Sequence, residues 1–221
     1  MFLLGVSMTK WHKRILEACP GLKQLRATHL RKKHLREIEA WNNGDKIGPA
    51  PHSVKRKNIL ELSQRFNLSI LVETGTYYGE MVEAMKSHFD SIYSIELSQE
   101  LFNICQKKFI TDSNVNLSCG DSGIELKNIL KNLSSPALFW LDAHYSHGET
   151  ARGDKDSPIM EELEHILTSP IQGHVIMIDD ARDFINDPNY PKVEVLESFV
   201  TSRCPERQFY LQDDAILILP Q

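Results

Sequence analysis

The chain lacks the marks of several protein classes. Its four cysteines, Cys19, Cys105, Cys119 and Cys204, form no CxxC pair and no metal-ligand spacing, which excludes a disulfide framework or a zinc ribbon. Cys105 and Cys119 sit in apolar patterns, where reduced core thiols are expected. No apolar run approaches the roughly 18 residues that span a bilayer. The apolar opening, residues 1–6, is too short for a signal-peptide core and has no basic residue before it. These absences point to a cytoplasmic protein. The dinucleotide fingerprint GxGxxG is missing as well, because Tyr77 and Glu80 stand where its spacing needs glycine.

What remains is a chain of 221 residues, 41% hydrophobic and 25% charged, enough for one soluble α/β domain and an extension. Its charge is unevenly spread. Residues 1–57 carry +9 and the remainder −14, within a net charge of −5. A basic extension on an acidic domain can meet anionic lipid headgroups, nucleic acid or the domain's own acidic face. The acidic domain argues against a wide phosphate groove, so nucleic acid is disfavoured and peripheral membrane contact stays open. So does a homo-oligomer.

The extension, residues 1–57, reads as helix over 9–41, broken at Pro20-Gly21. Ile15, Leu22, Leu25, Leu30, Leu35 and Ile38 are its apolar positions, and Arg31 to Arg36 is a basic face. A linker follows over 42–51. From residue 58 to 221 strands alternate with helices. Strands are expected at Leu68–Glu73, Ser91–Glu96, Val115–Ser118, Ala137–Asp142 and His174–Asp179. Helices are expected over 79–88, after a Ser98 N-cap, over 123–132, after Ser157 as N-cap with Pro158 at N1, and near 192–203. Two closing strands, 207–211 and 215–219, read as an antiparallel hairpin. Strands this apolar are buried on both faces, hence a mostly parallel sheet between two helical layers. The fold class is a Rossmann-like three-layer α/β/α sandwich with seven strands.

The informative regularity is acidic. Glu73, Glu96, Asp121, Asp142 and Asp179 each follow an apolar strand. In an open parallel sheet ligands bind beyond the carboxyl ends of the strands, and a charge placed there is costly unless it faces a crevice. The first loop, Glu73-Thr-Gly75-Thr76-Tyr-Tyr-Gly79, has glycines where the backbone must turn sharply and approach a ligand. Glu96 follows Gly75 by 21 positions and can accept from both hydroxyls of a ribose. Asp121-Ser122 can meet an adenine amino group, or Asp121 can cap a helix.

Together these residues resemble the class I S-adenosylmethionine-dependent methyltransferase family. Glu73, Gly75, Thr76 and Gly79 look like its first motif, and Glu96 and Asp121 look like its acids after the second and third strands. The resemblance covers roughly residues 58–221 and implies S-adenosylmethionine as cofactor. At the other end, Asp142 closes the fourth strand and Asp179-Asp180 the fifth. Three carboxylates in one crevice repel one another without a cation, and oxygen donors suit Mg²⁺. The set is similar to metal-dependent sugar O-methyltransferases of the macrocin type. That resemblance implies metal roles for Asp142, Asp179 and Asp180 and a sugar or other small hydroxylated acceptor. Where the family often has a second Asp as base, two residues on, this chain has His144, which titrates in a suitable range. The polar loop His147 to Asp156 sits where a lid would lie, and its Arg152 can engage a phosphate or carboxylate. The Asn-Pro-Pro-Tyr type of base-methylating motif is absent, with Asp142-Ala-His-Tyr145 in its place.

Overall fold

A computed structural model describes residues 20–142 and 158–221. The chain divides into two compact units, Met1–Asp45 and Lys46–Gln221. In the first, helix α1 (Pro20–Asn43) runs unbroken through Gly21, and the part of the expected helix before residue 20 lies outside the described residues. Leu25, Leu30 and Leu35 are all exposed. Spaced by five, they rotate round the helix and make no stripe. The cations do better: His29, Lys32, Lys33 and Arg36 line one cleft, at the i, i+3, i+4, i+7 spacing of a single face. The basic face is therefore not the contiguous run Arg31 to Arg36, whose Arg31 and His34 point elsewhere.

The second unit opens with helix α2 (His52–Arg65). The expected boundary after residue 57 falls inside this helix. Val54, Ile59 and Leu62 are buried along it, and Ile59 and Leu62 join one of the two cores, so the packed domain begins before residue 58, while the linker expected over 42–51 lies over 44–51. The elements that follow are β1 (Ile70–Thr74), α3 (Glu80–Met85), β2 (Ser91–Glu96), α4 (Gln99–Lys108), β3 (Val115–Cys119), α5 (Ser122–Asn132), β4 (Leu138–Leu141), α6 (Ile159–Leu167), β5 (Val175–Ile178), α7 (Asp183–Asn186), α8 (Val193–Arg203), β6 (Gln208–Gln212) and β7 (Ala215–Leu219). Sequence reading missed α2 and the short α7. Pro158 is the N-cap of α6 rather than its first residue, and Ser157 lies outside the described residues.

The seven strands lie in the order β3-β2-β1-β4-β5-β7-β6. The first five pair in parallel, and β7 runs antiparallel to β5 and to β6. The chain leaves β1 towards β3 and returns to β4 beside β1, so the strand order reverses between β1 and β4, where open sheets bind ligands.

Strand alternation sorts the core into two layers. Val72, Phe139, Leu141, Ile176 and Ile178 pack against α5, α6 and α8 through Leu126, Ile129, Leu163, Ile166, Leu196 and Val200. Leu71, Leu138, Trp140, Val175 and Met177 pack on the other face with Ile59, Leu62, Met81, Val82 and Cys105. Cys105 is buried, but Cys119 is only half-buried and is no core thiol. Among the described residues no helix is long and apolar enough to cross a membrane.

Candidate functional site

The loop after β1 is built by its backbone. Gly75 and Gly79 have φ of 88° and 66°, and the amides of Gly75 and Thr76 donate to the Ile95 carbonyl at 2.9 and 3.1 Å. A Cβ on Gly79 would stand 2.5 Å from the Phe109 ring, so both conformation and space require glycine there. Tyr77 between them is also left-handed, with φ of 51°, a costly state for an aromatic residue. The Tyr77 amide is fixed by donating to Glu96 Oε2 at 2.7 Å. The Ser98 amide donates to Glu96 Oε1 at 2.8 Å. Each Glu96 oxygen thus holds one amide and has a lone pair left for a further donor.

Glu73 lies beneath the loop, 2% exposed. Its Oε2 accepts from Ser94 Oγ, and Ser94 shares a second hydrogen bond of 2.6 Å with Thr76 Oγ1. Burial, with smaller contributions from Asp142 and Glu96, pushes the Glu73 carboxyl up to about 8. Asp121 caps α5 by accepting from the Gly123 amide at 2.8 Å, and Ser122 beside it is buried. The capping alternative for Asp121 therefore holds, and the second carboxylate oxygen is not engaged by that cap.

Alternation also aims the acids of the other half. Leu141 and Ile178 face the α5–α6–α8 layer, so Asp142 and Asp179, one residue on, turn to the face covered by α2, α3 and α4. Main-chain bonds continue the sheet by one residue: the Asp142 amide donates to Thr74 O and the Asp179 amide to Leu141 O, both at 3.0 Å. Asp180 follows with φ of 54°, which folds its carboxylate back beside its neighbour's. One oxygen from each of Asp142, Asp179 and Asp180 lies within 4.8 Å of the others. Asp179 is 1% exposed, and its Oδ1 is buried without a hydrogen-bond partner. Burial first and Asp142 second push its carboxyl well above the usual range. Such a cluster demands a cation.

Two cations reach it that sequence reading missed. Lys55, in the first turns of α2, donates to Asp179 Oδ2 and, at 3.0 Å, to Asp180 Oδ1. Arg182 donates to Asp180 Oδ1 at 2.8 Å and also to Asp214 Oδ2. Burial opposes the charge on each, but the facing carboxylates prevail and hold both protonated. Asp213 and Asp214 form the β6–β7 turn, both with left-handed φ, as a two-residue hairpin of the primed type requires. Asp213 accepts from Lys46 Nζ at 2.8 Å and from Asn58 Nδ2 at 3.2 Å. The closing hairpin is thus tied to α2 and to the acidic cluster. Of the expected site residues, His144 lies outside the described residues, as do Arg152 and the loop around it.

The sheet order, the reversal at β1/β4 and the closing antiparallel strand are those of the Rossmann-like fold of class I methyltransferases. No protein-family model and no curated protein matches the chain. Solved structures do. The O-methyltransferase TomG from Streptomyces achromogenes, in complex with SAM, aligns with a TM-score of 0.56 and 14% identity over 85% of this chain and 89% of its own. An O-methyltransferase from Bacillus cereus in complex with SAH gives 0.54 and 17% over 85% and 89%. The SAH-bound methyltransferase PaMTH1 from Podospora anserina gives 0.54 and 15% over 99% and 100%. At such identities the likeness is one of fold.

Proposed function

We propose that the chain is an S-adenosylmethionine-dependent methyltransferase acting on a hydroxyl of a sugar or another small hydroxylated acceptor, with a divalent cation such as Mg²⁺ at its acidic cluster. One observation carries this reading: the three-carboxylate cluster stands at the strand-order reversal, its Asp142 amide bonded to the residue that precedes Gly75. The solved structures of like fold bear on the cofactor, since three of them hold SAM or SAH.

The residues fit both groups. On the β1–β3 side, Glu96 keeps a lone pair on each oxygen for the two ribose hydroxyls. Asp121 and Ser122 stand at the start of α5 for the adenine amino group, and the Gly75–Gly79 loop lets backbone approach the ligand. S-adenosylmethionine supplies a methyl group already activated by its sulfonium, so the protein's task is alignment of the acceptor oxygen. On the β4–β5 side, Asp142, Asp179 and Asp180 offer oxygen donors, and the unpartnered Asp179 Oδ1 is what a cation ligand looks like before its ion binds. A divalent cation held by these three carboxylates would lower the pKa of an acceptor hydroxyl. His144 or a nearby carboxylate, Asp142, would take the hydroxyl proton. A metal-free transfer is the second reading, and Lys55 favours it, because its ammonium already faces Asp179 and Asp180.

We place the protein in the cytoplasm and assign the basic face of α1 to contact with an anionic membrane surface. A thermal-shift series with S-adenosylmethionine, NAD and Mg²⁺, singly and paired, tests the cofactor reading, because a ligand of the folded state stabilises it by mass action. Stabilisation by S-adenosylmethionine is expected. Stabilisation by NAD alone overturns the reading.

A further inference from the structure

The acidic cluster already contains a cation that belongs to the chain. Lys55 is not a surface residue whose ammonium happens to swing near an aspartate. Its side chain is 10% exposed, it leaves a helix fixed in the core by Ile59 and Leu62, and its Nζ lies 5.9 Å from the centroid of the buried Trp140 ring. It contacts Asp179 and Asp180 at once. An ammonium taken from water into such a place is costly unless carboxylates meet it, and carboxylates so buried are costly unless a cation meets them. Each side is what makes the other tolerable.

The contacts are also asymmetric. Asp179 gives Lys55 its Oδ2 and keeps Oδ1, buried and without a partner. Asp180 gives one oxygen, Oδ1, to both Lys55 and Arg182. Lys55 therefore neutralises the cluster from the α2 side without covering the Asp179 oxygen left over.

We propose that Lys55 is a positioning residue: its ammonium is the resident counter-ion of Asp179 and Asp180, keeping the cluster assembled with no divalent cation bound and weakening the cluster's hold on one. The proposal rests on the reading of Asp142, Asp179 and Asp180 as a cation site. It follows that the folded protein tolerates chelators, and that divalent binding is weak and readily reversed because Lys55, beside the Arg182 that Asp180 shares with Asp214, already offsets part of the cluster's negative charge.

The test compares the full chain with Lys55→Met, Lys55→Gln, Lys55→Arg and Lys57→Met. Lys57 lies on the same helix but pairs with Glu61 in solvent. Melting is followed in EDTA and in Mn²⁺, and Mn²⁺ binding is measured by titration calorimetry. The wild-type chain, Lys57→Met and Lys55→Arg should melt at nearly the same temperature in both conditions. Lys55→Met and Lys55→Gln should lose about 10 °C in EDTA. Mn²⁺ should restore most of that loss and bind both variants at least about tenfold more tightly than the wild-type chain. If Lys55→Met is unfolded in EDTA, its refolding with Mn²⁺ is the same expected result, and Lys55→Gln carries the comparison if it does not refold. Equal Mn²⁺ affinity in the wild-type chain and the Lys55 variants, or a melting loss in Lys55→Gln that Mn²⁺ leaves untouched while binding, overturns the role of Lys55 alone. Absence of Mn²⁺ binding from every chain overturns the cation-site reading with it.

Discussion

The two halves of the carboxyl edge solve the same electrostatic problem differently. On the β1–β3 side the acids are satisfied by neutral donors: Glu96 by the amides of Tyr77 and Ser98, Asp121 by that of Gly123, Glu73 by the Ser94 hydroxyl. On the β4–β5 side the acids crowd one another and are met by cations, Lys55 from the distant α2 and Arg182 from just beyond Asp180. A carboxylate held by backbone amides is preorganised and keeps lone pairs for a neutral ligand. A carboxylate cluster held by side-chain cations is exchangeable, because one cation can replace another. In the proposed function the first half holds the nucleoside and the second manages charge.

The sharpest way to break the comparison is Asp179→Ala. It should lower Mn²⁺ affinity by about hundredfold or more, since loss of a partner that merely orients a ligand already costs about 10–100-fold, while S-adenosylmethionine affinity stays within about threefold, both read by calorimetry. A parallel loss of both ligands would show that the halves are one site. The converse is Glu96→Ala. Losing a charged acceptor for two hydroxyls, each such bond contributing about 1.5–3 kcal/mol, should weaken S-adenosylmethionine at least roughly tenfold and leave Mn²⁺ binding unchanged.

How much of this was legible in the sequence follows the same division. Glu73, Gly75, Glu96 and Asp121 were legible because each stands at or just after the end of an apolar strand and the glycine loop follows the first, so the signal is local spacing. Asp142 and Asp179-Asp180 were legible as acids after apolar runs. Their cations were not. Lys55 falls in Lys55-Arg56-Lys57, at the end of the basic extension expected over 1–57, and α2 has little apolar periodicity to mark it as packed. Only strand alternation, which turns Asp142 and Asp179 towards the α2 layer, shows that a buried cation is needed there. Arg182 and the Asp213-Asp214 turn are joined across 32 residues, a pairing that no spacing rule encodes. The expected boundary after residue 57 falls inside α2 for the same reason, since nothing in that segment's periodicity marks a packed helix.

A smaller effect is expected from Gly79→Ala, which perturbs the first half without touching a charge. The left-handed φ and the Phe109 ring at 2.5 Å from the new Cβ should cost about 1–3 kcal/mol and lower the melting temperature by roughly 2–10 °C. Mn²⁺ affinity should not change. A Gly79→Ala chain as stable as wild type would mean that the loop relaxes freely and is not preorganised.

The smallest effect separates the halves by pH. Glu73 is the one acid of the first half that is held up the scale, to about 8 from an ordinary 4.5, chiefly by burial. Between those values the folded chain keeps a proton that the unfolded chain has lost. Stability then falls as pH rises through that window, and the fall ends once the folded carboxyl ionises as well. From pH 7 to pH 9 this single group should cost about 1 kcal/mol, or roughly 2–4 °C of melting temperature. Glu73→Gln mimics the protonated acid and can still accept from Ser94. It should melt close to wild type at pH 7 and several degrees above it at pH 9, when the two are compared in EDTA so that the acidic cluster contributes equally. If wild type and Glu73→Gln keep a constant difference across the range, the Glu73 carboxyl is ionised throughout. In that case the Ser94–Thr76 pair beneath the loop stabilises a charge, and the first half is no more neutral than the second.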